Sequence, residues 1–198
     1  MTTPRRNADA GRAFAKIAFS PAIQAIQKTL GSRKHMEKME TMGQPRNELD
    51  DNLVQFVNTR VSLYFGTASK SGEPYIQHRG GEAGFIEVID NKTLRFRDYP
   101  GNQQYITFGN LAENPRAFIF MMDYEMKARV KFWGTAEVAD ISGENRSITF
   151  HIEAWDINCS KHLPDYYSLA TVQQTAEKLT VRIAELESEL AHLKAGTT

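Results

Sequence analysis

The sequence predicts a mainly β fold, a six-stranded antiparallel Greek-key barrel with helices before it and one long helix after it. Three observations predict this. Between residues 61 and 154, short β-branched and aromatic runs alternate with turn residues. Ahead of them, two segments repeat apolar residues at helical spacing, and behind them the apolar period becomes seven. We assign 1–58 to an N-terminal arm and helices, 59–165 to the barrel and 166–198 to a C-terminal amphipathic helix.

Residues 1–19 are polar and rich in small side chains, so an arm anchored by Phe14, Ile17 and Phe19 is expected rather than an independent fold. Ser20-Pro21 reads as an N-cap followed by proline in the first turn. Ile23, Ile26 and Leu30 then repeat at helical spacing up to Gly31. A second helix is expected from Asn47 as N-cap, with Asp50 three residues on, through Leu49, Leu53, Phe56 and Val57.

The β segments are VSLYFGTAS (61–69), YIQHR (75–79), GFIEVI (84–89), TLRFRD (93–98), RAFIFMMD (116–123), ARVKFWGTAEVA (128–139) and SITFHIEA (147–154). Turns fall at Lys70 to Pro74, Asp90 to Lys92 and Ser142 to Asn145, and 102–112 reads as one inserted helix. About six strands of this kind suit a small closed barrel, since closure removes exposed edges. In the tail, Val172, Leu179, Leu186 and Leu193 recur every seven residues, with Ala176, Ile183 and Leu190 between them. This is a coiled-coil seam, with Arg182 and Glu189 at g and Glu187 and Lys194 at the following e positions. The same stripe could instead pack on the barrel, and both readings stay open.

The chain has 198 residues, with 24 basic against 24 acidic, so no general field favours nucleic acid or an acidic membrane surface. The single cysteine, Cys159, excludes an intramolecular disulfide. No stretch approaches the roughly 20 apolar residues of a membrane span, and no signal peptide is read at the start, so a cytoplasmic protein is expected. His78, His151, His162 and Cys159 lack the close ligand spacing of zinc sites, and no metal is expected.

From Phe65 onward, FGTASKSGEPYIQHRGG, LRFRDYPGNQQYITFGNLAENPRAFIFMMDY and RVKFWGTAEV follow one another in order. The series resembles the pyridoxamine 5'-phosphate oxidase-like FMN-binding split-barrel family. HIEAWDINCSKH, at residues 151–162, resembles the tail motif of one branch of that superfamily. The resemblance implies an FMN-binding split barrel, a homodimer with FMN between subunits, and oxidoreductase chemistry on a small molecule, with NAD(P)H as one candidate reductant. FMN brings a phosphate and a planar ring, so donors are needed at one end and a flat slot at the other.

Arg79, ending a strand before Gly80-Gly81, can fork onto phosphate beside backbone that a ligand can approach. It can equally be a rim charge beside a bulge. Gln77 and His78 on the same strand and Asp98 at the end of another complete that side. Asn102, Gln103, Gln104 and Tyr105 read as a helix start offering N–H groups to an anion, or as an ordinary capped helix. The family's oxidase carries a serine and a lysine here; this chain has Asn102 and Gln104. Arg129 or Lys131 would restore positive charge from the same or another subunit. Trp155, Asn158, Lys161 and His162 read as a lid over flavin or substrate, with a core tryptophan as the equal alternative. Cys159 reads as an activated thiolate or as an inert buried thiol. The family's C-terminal Arg-x-His arrangement is missing from the tail, so a substrate other than pyridoxamine 5'-phosphate is expected. The rival function is a carrier or sensor that holds FMN, a deazaflavin or haem without turnover.

Overall fold

The structure is a computed structural model that describes residues 11–99, 101–141, 143, 145–157 and 161–195. The described residues fall into two compact units, one within Met1–Asp123 and Ala128–Cys159, the other within Tyr124–Lys127 and Ser160–Thr198.

The first unit is built on seven strands: β1 (Ser62–Ala68), β2 (Pro74–Gly80), β3 (Ile86–Asp90), β4 (Thr93–Arg97), β5 (Arg116–Asp123), β6 (Ala128–Ala139) and β7 (Ser147–Ile157). All join one antiparallel sheet in the order β2-β1-β5-β6-β7-β4-β3. The expected six-stranded barrel is thus corrected to seven strands, because both terminal hairpins, β1–β2 and β3–β4, extend the same sheet.

Alternation decides which face turns inward. Leu63 and Phe65 of β1, Leu94 and Phe96 of β4, Ile119 and Met121 of β5, Phe132 of β6, and Ile148 and Phe150 of β7 are buried in one cluster. The sheet must curl to achieve this. Phe65 and Phe96, on strands far apart in the sheet order, have ring centroids 5.4 Å apart, edge to face. The result is a split barrel with its core inside. At Trp133/Gly134 the β6–β7 register shifts, and a Cβ on Gly134 would lie 1.9 Å from the His151 carbonyl oxygen. Only glycine lets the strands approach so closely at that bulge.

Among the described residues, four helices precede the sheet: α1 (Ala13–Ala18), α2 (Pro21–Thr29), α3 (Arg33–Thr41) and α4 (Asp51–Asn58). Residues 13–18, expected as an arm, form a helix, because Phe14 stacks on Trp133 with centroids 5.6 Å apart and Ala15 is fully covered. In α2 the Ser20 cap accepts from the Ile23 N–H, yet Ile23, Ile26 and Leu30 are exposed, and Gln27 is buried instead. The unforeseen α3 is tied back by Arg33, which bonds Gln27 and Glu40. The cap of α4 is Asp50, accepting from the Leu53 N–H at 2.9 Å, rather than Asn47. Leu53 and Val57 place α4 on the core.

After β4, α5 (Ile106–Glu113) is held against β1 by Asn110, which donates to the Thr67 hydroxyl at 3.0 Å, and by Asn114, which donates to the Ala68 carbonyl. The helix expected over 102–112 therefore begins later. Gln103 and Tyr105 have φ of 59° and 51°, and such left-handed residues interrupt a helix. In the second unit, α6 (Leu169–Ala195) is a single helix of 27 residues with no buried residue. Among the described residues no helix is long and apolar enough to cross a membrane.

Candidate functional site

β2 is an edge strand of the sheet, hydrogen-bonded only to β1, and the inner-parity side chains of its face line a cavity. Tyr75, Gln77 and Arg79 lie two residues apart and share that face. Curling of the sheet brings Arg79 against Asp98, which directly follows β4. Nη1 donates to Oδ1 at 2.6 Å, with 13% and 7% of the two side chains exposed. On the other carboxylate oxygen of Asp98 stands Arg146, its Nε at 3.5 Å. The Asp98 N–H donates to the Arg146 carbonyl at 2.8 Å, fixing this approach.

These groups open on a cavity of about 100 Å³, whose other walls come from the loop 101–105 and the first turn of α5. No side chain caps that turn, and none of its residues is acidic. Its N–H groups and the positive end of the helix dipole therefore lie at the cavity wall. Thr107 in this turn donates to Gln77 Oε1 at 3.3 Å, closing the wall between α5 and β2.

The charge of the cavity is carried by two guanidinium groups against one carboxylate. The decisive detail is at Arg79: its Nε is buried and has no hydrogen-bond partner. An unsatisfied buried donor costs about 1–3 kcal/mol. Arg79 itself lines the cavity, and a guanidinium forks well onto phosphate.

Of the residues expected at a site, Gln77, Arg79, Asp98, Asn102, Gln103 and Tyr105 line this cavity together. Gln104 does not; it is engaged with Asn102, whose Nδ2 donates to Gln104 Oε1 and whose Oδ1 accepts from the Gln104 N–H, both at 3.2 Å. His78 is on the opposite face of β2, edge-on to Tyr64. A Cβ on Gly81 would meet Phe85 at 2.7 Å and one on Gly80 would meet His78 at 3.1 Å, so both glycines answer to internal packing rather than to the cavity. Arg129 and Lys131 lie on β6 away from the cavity, Lys131 over the Trp133 ring and 3.8 Å from Asp156.

Trp155 belongs to the core, which corrects the lid reading. It is 6% exposed, its indole N–H donates to the Glu48 carbonyl at 2.7 Å, and Arg46 covers its face at 4.8 Å. Burial there pushes the Arg46 pKa down, with nearby Arg12 adding to the effect. Lys161 and His162 fall in the second unit, and Asn158 and Cys159 lie outside the described residues.

Tyr75, Tyr99, Ile106, Thr107, Phe108 and Arg146 also line the cavity and were missed. Tyr75 shares the parity of Gln77 and Arg79, a signal that could have found it. Tyr75 also lines a second, apolar groove of about 370 Å³ with Gly66, Ile76, Phe118 and Trp133.

The family model of pyridoxamine 5'-phosphate oxidase matches residues 49–177, more than half of the chain and all of the barrel. The chain belongs to that family. Among solved structures, HupZ from Group A Streptococcus is similar at 16% identity, covering 61% of this chain and 98% of that one, with a TM-score of 0.45. A protein of the pyridoxinephosphate oxidase family from Clostridium acetobutylicum, related to general stress protein 26, has 14% identity, 63% and 99% coverage and a TM-score of 0.40. HutZ, the haem storage protein of Vibrio cholerae, has 13% identity, 56% and 93% coverage and a TM-score of 0.39. No curated protein matches the chain.

Proposed function

We propose that this protein is an FMN-binding flavoprotein whose cavity between β2, Asp98 and α5 takes the phosphate end of the cofactor. The observation that carries the reading is the buried, unpartnered Nε of Arg79 beside an uncapped helix start, a donor set that fits a phosphate monoester.

At about 100 Å³ the cavity is smaller than the roughly 300–1,000 Å³ that encloses a drug-sized ligand, so the flavin ring lies beyond it. We assign the ring to an interface with a second copy of the chain, in the homodimer expected for this family. The apolar groove beside Tyr75 supports the same reading, because an apolar face of that kind is stabilised by cover.

The bound flavin would supply the electron transfer. Arg79 and the first turn of α5 hold its phosphate, Gln77 and Thr107 fix the wall, and Asp98 offsets the charge of Arg79 and Arg146. The function is then oxidoreduction of a small molecule, with NAD(P)H as candidate reductant.

The test is an absorbance spectrum of the purified protein, followed by reconstitution with FMN and with riboflavin, and anaerobic titration with NADH and NADPH. Wild type should prefer FMN, and Arg79→Ala should lose FMN affinity by roughly 30-fold, about 2 kcal/mol, with little change for riboflavin. Equal affinity for the two ligands in both proteins overturns the phosphate assignment. A flavin that neither nucleotide reduces removes NAD(P)H from the reading.

A further inference from the structure

The C-terminal helix α6 is the longest element of the chain, 27 residues and about 40 Å at 1.5 Å per residue, yet none of its residues is buried. Its start is well defined. The Ser168 hydroxyl accepts from the Thr171 N–H at 3.2 Å, and Glu125 accepts from the Ser168 N–H and, at 3.0 Å, from the Thr171 hydroxyl. These bonds hold the Glu125 carboxyl below its usual pKa, the Ser168 backbone bond contributing most. A helix fixed at one end and solvated along the rest is marginal in water, because helices draw most of their stability from packing an apolar face.

That face exists. Val172, Leu179, Ile183, Leu186 and Leu190 are 52%, 59%, 55%, 47% and 54% exposed. With Ala176 and Leu193 they form one seam at alternating steps of four and three, in which Ala176, Ile183 and Leu190 take a and Val172, Leu179, Leu186 and Leu193 take d.

We propose that this seam is covered by α6 of a second copy of the chain, in a parallel, in-register, two-stranded coiled coil. The flanking charges select the partner and its direction. In a parallel pair each g residue faces the following e residue of the partner helix, so Arg182 meets Glu187 and Glu189 meets Lys194, each match occurring on both sides of the seam. An antiparallel pair sets g against g and e against e, which at best joins Arg182 to Glu189 and leaves Glu187 and Lys194 unmatched. Ile183 at a with leucine at the neighbouring d positions favours two strands over three or four. This pairing stands independently of the flavin reading, since no residue of α6 lines the cavity.

The experiment uses the full chain with Cys159→Ser, carrying either Ile183→Cys in the seam or Glu185→Cys on the outer face. Under mild oxidation Ile183→Cys should form an interchain disulfide in most of the protein, and Glu185→Cys should form at least tenfold less. Equal yields at the two positions overturn the proposal, as does a yield at Ile183 no higher than random collision gives at micromolar protein. The charge pattern is tested in the Ile183→Cys background. Arg182→Glu and Glu187→Arg should each lower the cross-linking yield, and the two together should restore it. A double variant no better than the singles overturns the parallel register. Flavin content is measured on every variant, so a failed tail pairing with flavin retained is distinguishable from a failed flavin reading.

Discussion

Two arginine–aspartate pairs in the barrel are almost equally buried and do opposite things. In one, Arg60 Nη2 meets Asp123 at 2.5 Å, with 12% and 10% of the side chains exposed. Its remaining donors reach the carbonyls of Phe56 and Met122 and the Thr59 hydroxyl, and the guanidinium lies 4.5 Å above the Phe56 ring. In the other, Arg79 meets Asp98 at equal burial, but its Nε is left without a partner beside a cavity. Burial and charge alone would rank the pairs together. The unpaired donor separates a side chain that ties α4 to β5 from one for which we propose a ligand.

The sharpest way to break this comparison is to remove the closed pair. Arg60→Ala leaves Asp123 buried without its cation, and urea unfolding should show a loss of about 3 kcal/mol with FMN affinity unchanged. A loss of FMN affinity as large as that of Arg79→Ala would mean that the two pairs share a role. Next comes Asp98→Asn, which keeps an acceptor oxygen but removes the charge that offsets Arg79 and Arg146. FMN should bind about tenfold more tightly, near 1.4 kcal/mol, with a steeper salt dependence of the dissociation constant. Weaker binding would assign Asp98 to aiming Arg79 rather than to balancing its charge.

The smallest effect concerns a third kind of aspartate, exposed and held by backbone. Asp90 accepts from the Lys92 N–H at 2.7 Å, and this bond, the largest cause, pulls its carboxyl below the usual range. A depressed folded-state pKa contributes stability above the unfolded value, near 4, and loses it as pH falls through the folded value. The stability gap between wild type and Asp90→Asn should therefore be small at pH 7 and close as the solution is acidified below about pH 4. A gap that widened on acidification would show that the carboxylate is strained rather than held.

The barrel was legible because alternation is a strong signal: Leu63 and Phe65, Leu94 and Phe96, Ile119 and Met121 recur at period two and all face inward. Where alternation breaks, reading failed. Ala154 and Trp155 are adjacent, yet both are buried near the end of β7, so the pattern left Trp155 open between lid and core. The start of α5 was misplaced because Gln103 and Tyr105 adopt left-handed φ without being glycine or asparagine, a conformation their residue types do not announce. Arg146 was invisible for another reason. It lies in the β6–β7 connection and meets Asp98 through the pairing of β4 with β7, where Arg97 faces Ser147, so no spacing along the chain links the two.

The sheet order also sets when the cavity can come into being as the chain folds. Arg79 rides on the β1–β2 hairpin and Asp98 on the β3–β4 hairpin, and each hairpin can form from neighbouring residues alone. They meet only after Tyr64 has found Phe120 and Thr93 has found His151, pairings between remote parts of the chain that must close long loops first. The phosphate proposed for this cavity thus has no closed site to bind until the last strand docks. In that reading it cannot guide collapse, and it acts afterwards on the closed sheet. Excess ligand then slows opening of the native state while leaving the rate of refolding unchanged.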